Sequence, residues 1–298
     1  MQEYYDTLVL SSGGILGIGH IGVLLYLKDK NVLDKIKHYS GTSAGALVCY
    51  LHLLGYEPSE MLSMVYEFNI FPKNSSELTT ELLTNITKLG AVLDNNKLLS
   101  HLKTITLNKL KYTPTFKNLF DINGKEFVVV ATNEKECTTT YFSYKTTPDV
   151  HVYEAIAASC NIPLIFNAIT INNKDYCDGV CMDPFPIKYM DHSNRKILGI
   201  WLSSPPLTPS KTDIVSNIFK YISLMTKGLF ISQTQNLTDG CVIKELHIDG
   251  KMDNLIKTPD IKNSIHIFNN GYHLLTSPYY EKTALIPQSI DPWIDSVF

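Results

Sequence analysis

No run of apolar residues in this chain reaches the roughly 20 needed to cross a bilayer as a helix, and no basic run is dense enough to follow a phosphate backbone. Lys and Arg number 26 against 29 Asp and Glu, a formal net charge of −3. Nucleic acid is therefore not an expected partner. The opening residues, Met1-Gln2-Glu3-Tyr4-Tyr5-Asp6, lack the basic-then-apolar order of a secretory signal, so the cytosol is the expected compartment. Cysteine is sparse and scattered, with 6 in 298 residues, which excludes a disulfide framework and points to reduced thiols. Cys177 and Cys181 with nearby His192 match no zinc spacing, so no metal or other cofactor is expected. What the chain does have is a hydrophobic content of 44%, enough for a sizeable core.

Strand-like and helix-like segments alternate from the start. Tyr5 to Leu10 is apolar and β-prone, and Ile18 to Lys30 sets Ile18, Ile21, Leu24, Leu25 and Leu27 at helical spacing. Lys37 to Ser40 reads as a second short strand, followed by a buried helix over Ala44 to Leu54 that Gly55 and Pro58 end. Two β-turn-α units in succession imply an α/β fold with a parallel sheet covered by helices. Residues 57–110 show helical patterns without a strand and read as an insertion over one side of the sheet. Strand signals return at Glu126 to Ala131, Thr139 to Tyr144, Leu164 to Ile171 and Ile197 to Leu202, with a helix at Val152 to Ser159. Pro205-Pro206 and Pro209 suggest a boundary between a main domain, residues 7–202, and a C-terminal segment, residues 203–298, packed on it. In that segment Ile214, Ile218, Ile222, Met225 and Leu229 share one helical face, expected to pack on the main domain rather than to lie on a membrane.

Two glycine turns carry the chemistry. Gly41-Thr42-Ser43-Ala44-Gly45 lies between a strand and a helix. A turn of that kind forces Ser43 into a strained, exposed position and aims the Ala44 N–H at the anion formed in acyl transfer. The first strand runs into Ser12-Gly13-Gly14-Ile15-Leu16-Gly17, where Gly13 and Gly14 have no side chains to block a carbonyl oxygen from their N–H groups. Gly17-Ile18-Gly19-His20-Ile21-Gly22 also spells a dinucleotide fingerprint. It begins well past Leu10, however, and Ser40-Gly41 stand where a ribose-binding acid belongs. A serine nucleophile needs a base. His192, His247, His266 and His273 keep a Ser-His-Asp triad open, although a conventional α/β-hydrolase places several strands before its elbow and here one precedes it.

These segments resemble the patatin-like phospholipases, lipid acyl hydrolases with a Ser-Asp dyad. Leu10 to Gly17 is similar to the family's glycine-rich oxyanion loop, with His20 to Leu24 continuing as in many members, and Gly41 to Gly45 is similar to its elbow. Ala157-Ala158-Ser159 with Ile162-Pro163 resembles the segment before the catalytic acid, and Asp178-Gly179 with Phe185-Pro186 resembles its Asp-Gly-Gly/Ala motif. The resemblance spans about Thr7 to Leu202. Ser12 replaces the usual first glycine, Leu16 the usual Arg or Lys, and Val180 the usual Gly or Ala, so a non-catalytic lipid-binding descendant stays open beside the enzyme. The resemblance implies a three-layer α/β/α fold with a mostly parallel central sheet and a C-terminal helical and strand extension. It also implies that Ser43 is the nucleophile, Asp178 the proton acceptor, and Gly13, Gly14, Ile15 and Ala44 the oxyanion hole, without calcium. The implied partner is a lipid, met by peripheral membrane contact, with a protein activator as a further expectation. Residues from Ser75 to Leu110 are the expected lid.

Overall fold

The computed structural model of the chain describes residues 4–67, 91, 93–205, 214–248 and 260–276. Its strands are β1 (Thr7–Leu10), β2 (His38–Thr42), β3 (Glu126–Asn133), β4 (Thr138–Phe142), β5 (Ile169–Ile171), β6 (Lys174–Asp178), β7 (Ile197–Ser203) and β8 (Cys241–His247). The helices are α1 (Ile18–Asp29), α2 (Ala44–Leu53), α3 (Pro58–Glu67), α4 (Asn96–Leu110), α5 (Phe116–Asn123), α6 (Val152–Ser159), α7 (Ile187–Met190), α8 (Ile214–Gln233) and α9 (Ile261–His273). Pro206, Pro209 and residues 75–90 of the expected lid lie outside the described residues, as do the side chains of Ile214 and Ile218.

All eight strands form one sheet in the order β5-β6-β3-β2-β1-β7-β8, with β4 paired to β3 beside that path. The five strands β3-β2-β1-β7-β8 are parallel, while β4 and β6 pair antiparallel with β3, and β5 pairs antiparallel with β6 at one end. Side-chain alternation along the strands explains the layers. Leu8, Leu10, Phe127, Val129, Leu198 and Ile200 face one core with α1, α2, α4, α6 and α9, whereas Val9, Val128, Ile197 and Trp201 face a smaller core with α7 and Phe230 of α8. This is the mixed α/β fold with helices about a central sheet that the sequence implied.

The segment after residue 203 joins this architecture directly. β8 extends the sheet in register from Ile197↔Cys241 to Ser203↔His247. α9 crosses α1 so closely that a Cβ on Gly22 would lie 2.0 Å from the Phe268 carbonyl oxygen, and one on Gly271 would lie 2.0 Å from that of Gly19. Two glycines of the apparent dinucleotide fingerprint, Gly19 and Gly22, therefore sit inside α1 and serve its packing, where a side chain would meet Leu246 of β8 or the Phe268 carbonyl of α9, while Gly17 lies just before the helix.

Candidate active site

The glycine loop leaves the carboxyl end of β1 and is fixed before its amides become available. The Ser11 hydroxyl donates to the Ser12 carbonyl at 2.9 Å and accepts from the Leu202 amide at 3.0 Å, while the Ser12 amide donates to the Pro184 carbonyl at 2.9 Å. His20 on α1 reaches back to the Ser11 carbonyl through Nε2 at 2.9 Å. Complete burial pushes the His20 pKa down to about 4 against the opposing effect of that bond, so the ring is neutral and its single N–H is the donor to Ser11. Gly14 turns the loop with φ of 53° and opens a 3₁₀ turn, Gly14–Gly17, that runs into α1. The amides of Gly13, Gly14 and Ile15 make no hydrogen bond to the described residues, and Ile15 and Leu16 pack against the core.

The second turn lies at the end of the neighbouring parallel strand, β2. Ser43 has φ of 54° and ψ of −122°, a strained backbone between β2 and α2. Its amide donates to the Ser159 hydroxyl at 2.8 Å, which holds the elbow from α6. A Cβ on Gly45 would fall 2.3 Å from the Leu10 carbonyl oxygen, and one on Gly17 would fall 2.7 Å from Ala44 Cβ. Both glycines thus let the two turns touch, so the glycine loop lies against the elbow.

The carboxylate arrives by a strand exchange on β3. Val129 and Val130 pair with Gly41 and Thr42 of β2 on one edge and with Phe142 and Tyr141 of β4 on the other. At Ala131 the β4 pairing continues, but the opposite partner becomes Asp178, the last residue of β6. β2 and β6 therefore end head-on at consecutive positions of the same edge, and the residues leaving those ends, Ser43 and Asp178, meet. The Ser43 hydroxyl donates to Asp178 Oδ2 at 2.7 Å, and the Val180 amide donates to Oδ1 at 2.8 Å. The Asp178 amide donates to the Asn161 carbonyl at 2.9 Å, and Thr132 Oγ1 donates to the Asp178 carbonyl at 3.0 Å. Gly179 is needed at this junction, since its Cβ would lie 2.5 Å from the Val130 carbonyl oxygen.

Asp178 is 1% exposed and Ser43 is 7% exposed. Burial pushes the Asp178 pKa up to about 7, the Val180 and Ser43 hydrogen bonds opposing it, and among the described residues no cation pairs with the carboxylate. A buried acid tuned to neutrality beside a hydroxyl is suited to general-base work at physiological pH. The four candidate histidines lie elsewhere in the hydrogen-bond pattern. His192 bonds Ser193, His247 bonds Ser203, His266 bonds Asn270, and the His273 ring contacts Tyr272 edge-on. Cys177 and Cys181 are free thiols that adjoin one another, and no metal-binding cluster occurs among the described residues. Two supporting residues lie in the segments that carry the family resemblance but are given no role by it: Ser159, which accepts from the nucleophile's amide, and His20, which anchors the loop.

A family model for patatin-like phospholipases matches residues 8–191, a span that holds the glycine loop, the elbow and Asp178. The chain belongs to this family. Among curated proteins, this patatin-like chain is 34% identical over 200 residues to a probable lipid hydrolase of Invertebrate iridescent virus 6, a match covering 65% of the chain and 67% of that protein. It is 30% identical over 176 residues to triacylglycerol lipase ptl3 of Schizosaccharomyces pombe, covering 57% of the chain but only 35% of the lipase. Among solved structures, VipD from Legionella pneumophila shares the fold with a TM-score of 0.55 at 15% identity, over 92% of this chain and 66% of that one. The patatin-like chain is accordingly a lipid ester hydrolase. Among the described residues no helix is long and apolar enough to cross a membrane.

Proposed function

We propose that this patatin-like hydrolase is a phospholipase A-type enzyme that cleaves fatty-acyl esters through Ser43 and Asp178. The observation that carries the reading is the 2.7 Å hydrogen bond from the Ser43 hydroxyl to the buried Asp178 carboxylate. Ionised Asp178 accepts the Ser43 proton as Oγ attacks the ester carbonyl. The resulting oxyanion is held by the Gly13, Gly14, Ile15 and Ala44 amides, which need no reorganisation because the loop is already anchored by His20, Ser11 and Ser12. The alcohol of the lysolipid leaves with the proton from Asp178. Water, deprotonated by the same carboxylate, then attacks the acyl carbonyl; the acyl–Oγ bond breaks, the fatty acid leaves, and Asp178 returns the proton to Ser43 Oγ. The Val180 amide holds Oδ1, leaving Oδ2 to face the serine.

Ser43→Ala should lose both hydrolysis of phosphatidylcholine and labelling by a fluorophosphonate probe; retained turnover would remove the nucleophile assignment. Mass spectrometry of the products decides the substrate. Lysophospholipid and free fatty acid support phospholipase A chemistry, whereas diacylglycerol from triacylglycerol alone would move the enzyme to the activity named for the fission-yeast relative.

A further inference from the structure

α8 is unusual on its outer side. The inner side is moored beside the catalytic carboxylate's turn: Phe230 stacks on Trp201 with ring centroids 4.2 Å apart, and Gln233 Nε2 donates to the Met182 carbonyl at 3.3 Å. Ile222 and Leu229 are half-buried on that side. At 100° per residue, Tyr221, Leu224, Met225 and Ile231 fall on the opposite side, and they are 61%, 50%, 51% and 43% exposed. The face expected to unite Ile222, Met225 and Leu229 is therefore split, because a three-residue step from Ile222 carries Met225 round to the outside. Lys220 and Lys227, seven residues apart, line one border of the exposed face. The 20-residue helix contains no Asp or Glu, in a chain whose net charge is −3.

A water-facing helix of a water-soluble surface would carry polar groups at these positions, and a contiguous exposed apolar face marks a contact site. The pattern of apolar centre, cationic border and absence of acid suits an interfacial helix on an anionic lipid surface. Two further exposed apolar side chains project from turns that hold Asp178. Met182, 37% exposed, follows the Gly179–Cys181 turn, and Leu164, 60% exposed with φ of 68°, follows Asn161.

We propose that the outer face of α8, formed by Tyr221, Leu224, Met225 and Ile231 and bordered by Lys220 and Lys227, docks the enzyme on anionic phospholipid membranes. The choice of lipid as occupant rests on the lipid-hydrolase reading; the surface itself does not depend on which residues perform the chemistry. Docking here sets the bilayer against the helix that Gln233 ties to Met182, next to the Gly179–Cys181 turn that follows Asp178.

The test is sedimentation with vesicles of phosphatidylcholine containing phosphatidylserine, and with phosphatidylcholine alone. The triple variant Tyr221→Ser, Leu224→Ser, Met225→Ser should partition roughly 30-fold more weakly, and each of Lys220→Gln and Lys227→Gln about fivefold more weakly to the anionic vesicles only. All should hydrolyse a water-soluble p-nitrophenyl ester at the wild-type rate, which shows that the fold and site are intact. Ser43→Ala should bind vesicles as the wild type does, so failure of the catalytic assignment leaves the docking result standing. As a gain-of-signal check, Tyr221→Trp should show emission quenched by brominated lipid beyond the background of the native tryptophans. Wild-type binding by the triple variant, no added quenching at position 221, or a wild-type dimer in solution that the triple variant dissolves would each overturn the proposal.

Discussion

Replacing Asp178 by Asn separates the cost of the buried charge from its use. Asn keeps the shape and the two hydrogen bonds, with its oxygen accepting from the Val180 amide and its NH₂ donating to Ser43 Oγ, but cannot ionise. In the wild type the carboxyl pKa rises from 3.8 to about 7 on folding, chiefly by burial. Below about pH 4 both folded and unfolded chains hold the proton and the charge costs nothing. Between there and about pH 7 the folded state keeps a proton that the unfolded chain has lost, so stability falls as pH rises; above that the cost is constant. The shift corresponds to on the order of 4 kcal/mol of stability surrendered above neutrality. Asp178→Asn should recover most of it, a rise in melting temperature of roughly 6 °C for a chain of 298 residues. Urea or thermal melts of both proteins from pH 4 to pH 8.5 measure this, and the gap should close towards the acid end. The same titration predicts that wild-type kcat/KM climbs with pH and levels off above about 7, because only the carboxylate accepts the Ser43 proton. The variant should lose roughly 10²- to 10⁴-fold in kcat. A variant less stable than wild type at pH 8.5, or a stability gap that does not change with pH, would refute the reasoning.

Two substitutions test the supports of the elbow. Gly45→Ala places a methyl 2.3 Å from the Leu10 carbonyl oxygen, at the rigid end of a central strand, and should cost at least about 3 kcal/mol in urea unfolding; a change within experimental error would mean that the two turns are not so close. Ser159→Ala leaves the Ser43 amide without the acceptor it has at 2.8 Å and should destabilise by about 1–3 kcal/mol, with kcat towards a soluble ester reduced and the circular-dichroism spectrum unchanged. Full activity in that variant would show that the strained backbone of Ser43 is held by other contacts.

Much of the sheet was legible because parallel strands buried on both faces read as apolar runs, as at Thr7–Leu10, Glu126–Asn133 and Ile197–Ser203. β6 was not, since Lys174 and Asp175 are exposed and the strand ends on Asp178, leaving too short an apolar pattern to register. Leu164 to Ile171, expected as one strand, is a turn followed by the short β5. Pro163 lacks an amide to donate and Leu164 adopts a left-handed backbone, so no regular strand can form before Ile169.

By itself the sequence determined the local chemistry: glycines where two turns approach, a serine between strand and helix, and an Asp-Gly turn in family order. Those features depend on residues adjacent in the chain. The tertiary structure alone decided how Ser43 and Asp178, 135 positions apart, share a hydrogen bond. That meeting depends on β2 and β6 ending head-on along one edge of β3, and on a core dry enough to tune the acid, neither of which short-range sequence can specify. The same applies to α8, whose apolar residues are divided between an inner and an outer face only once Phe230 finds Trp201.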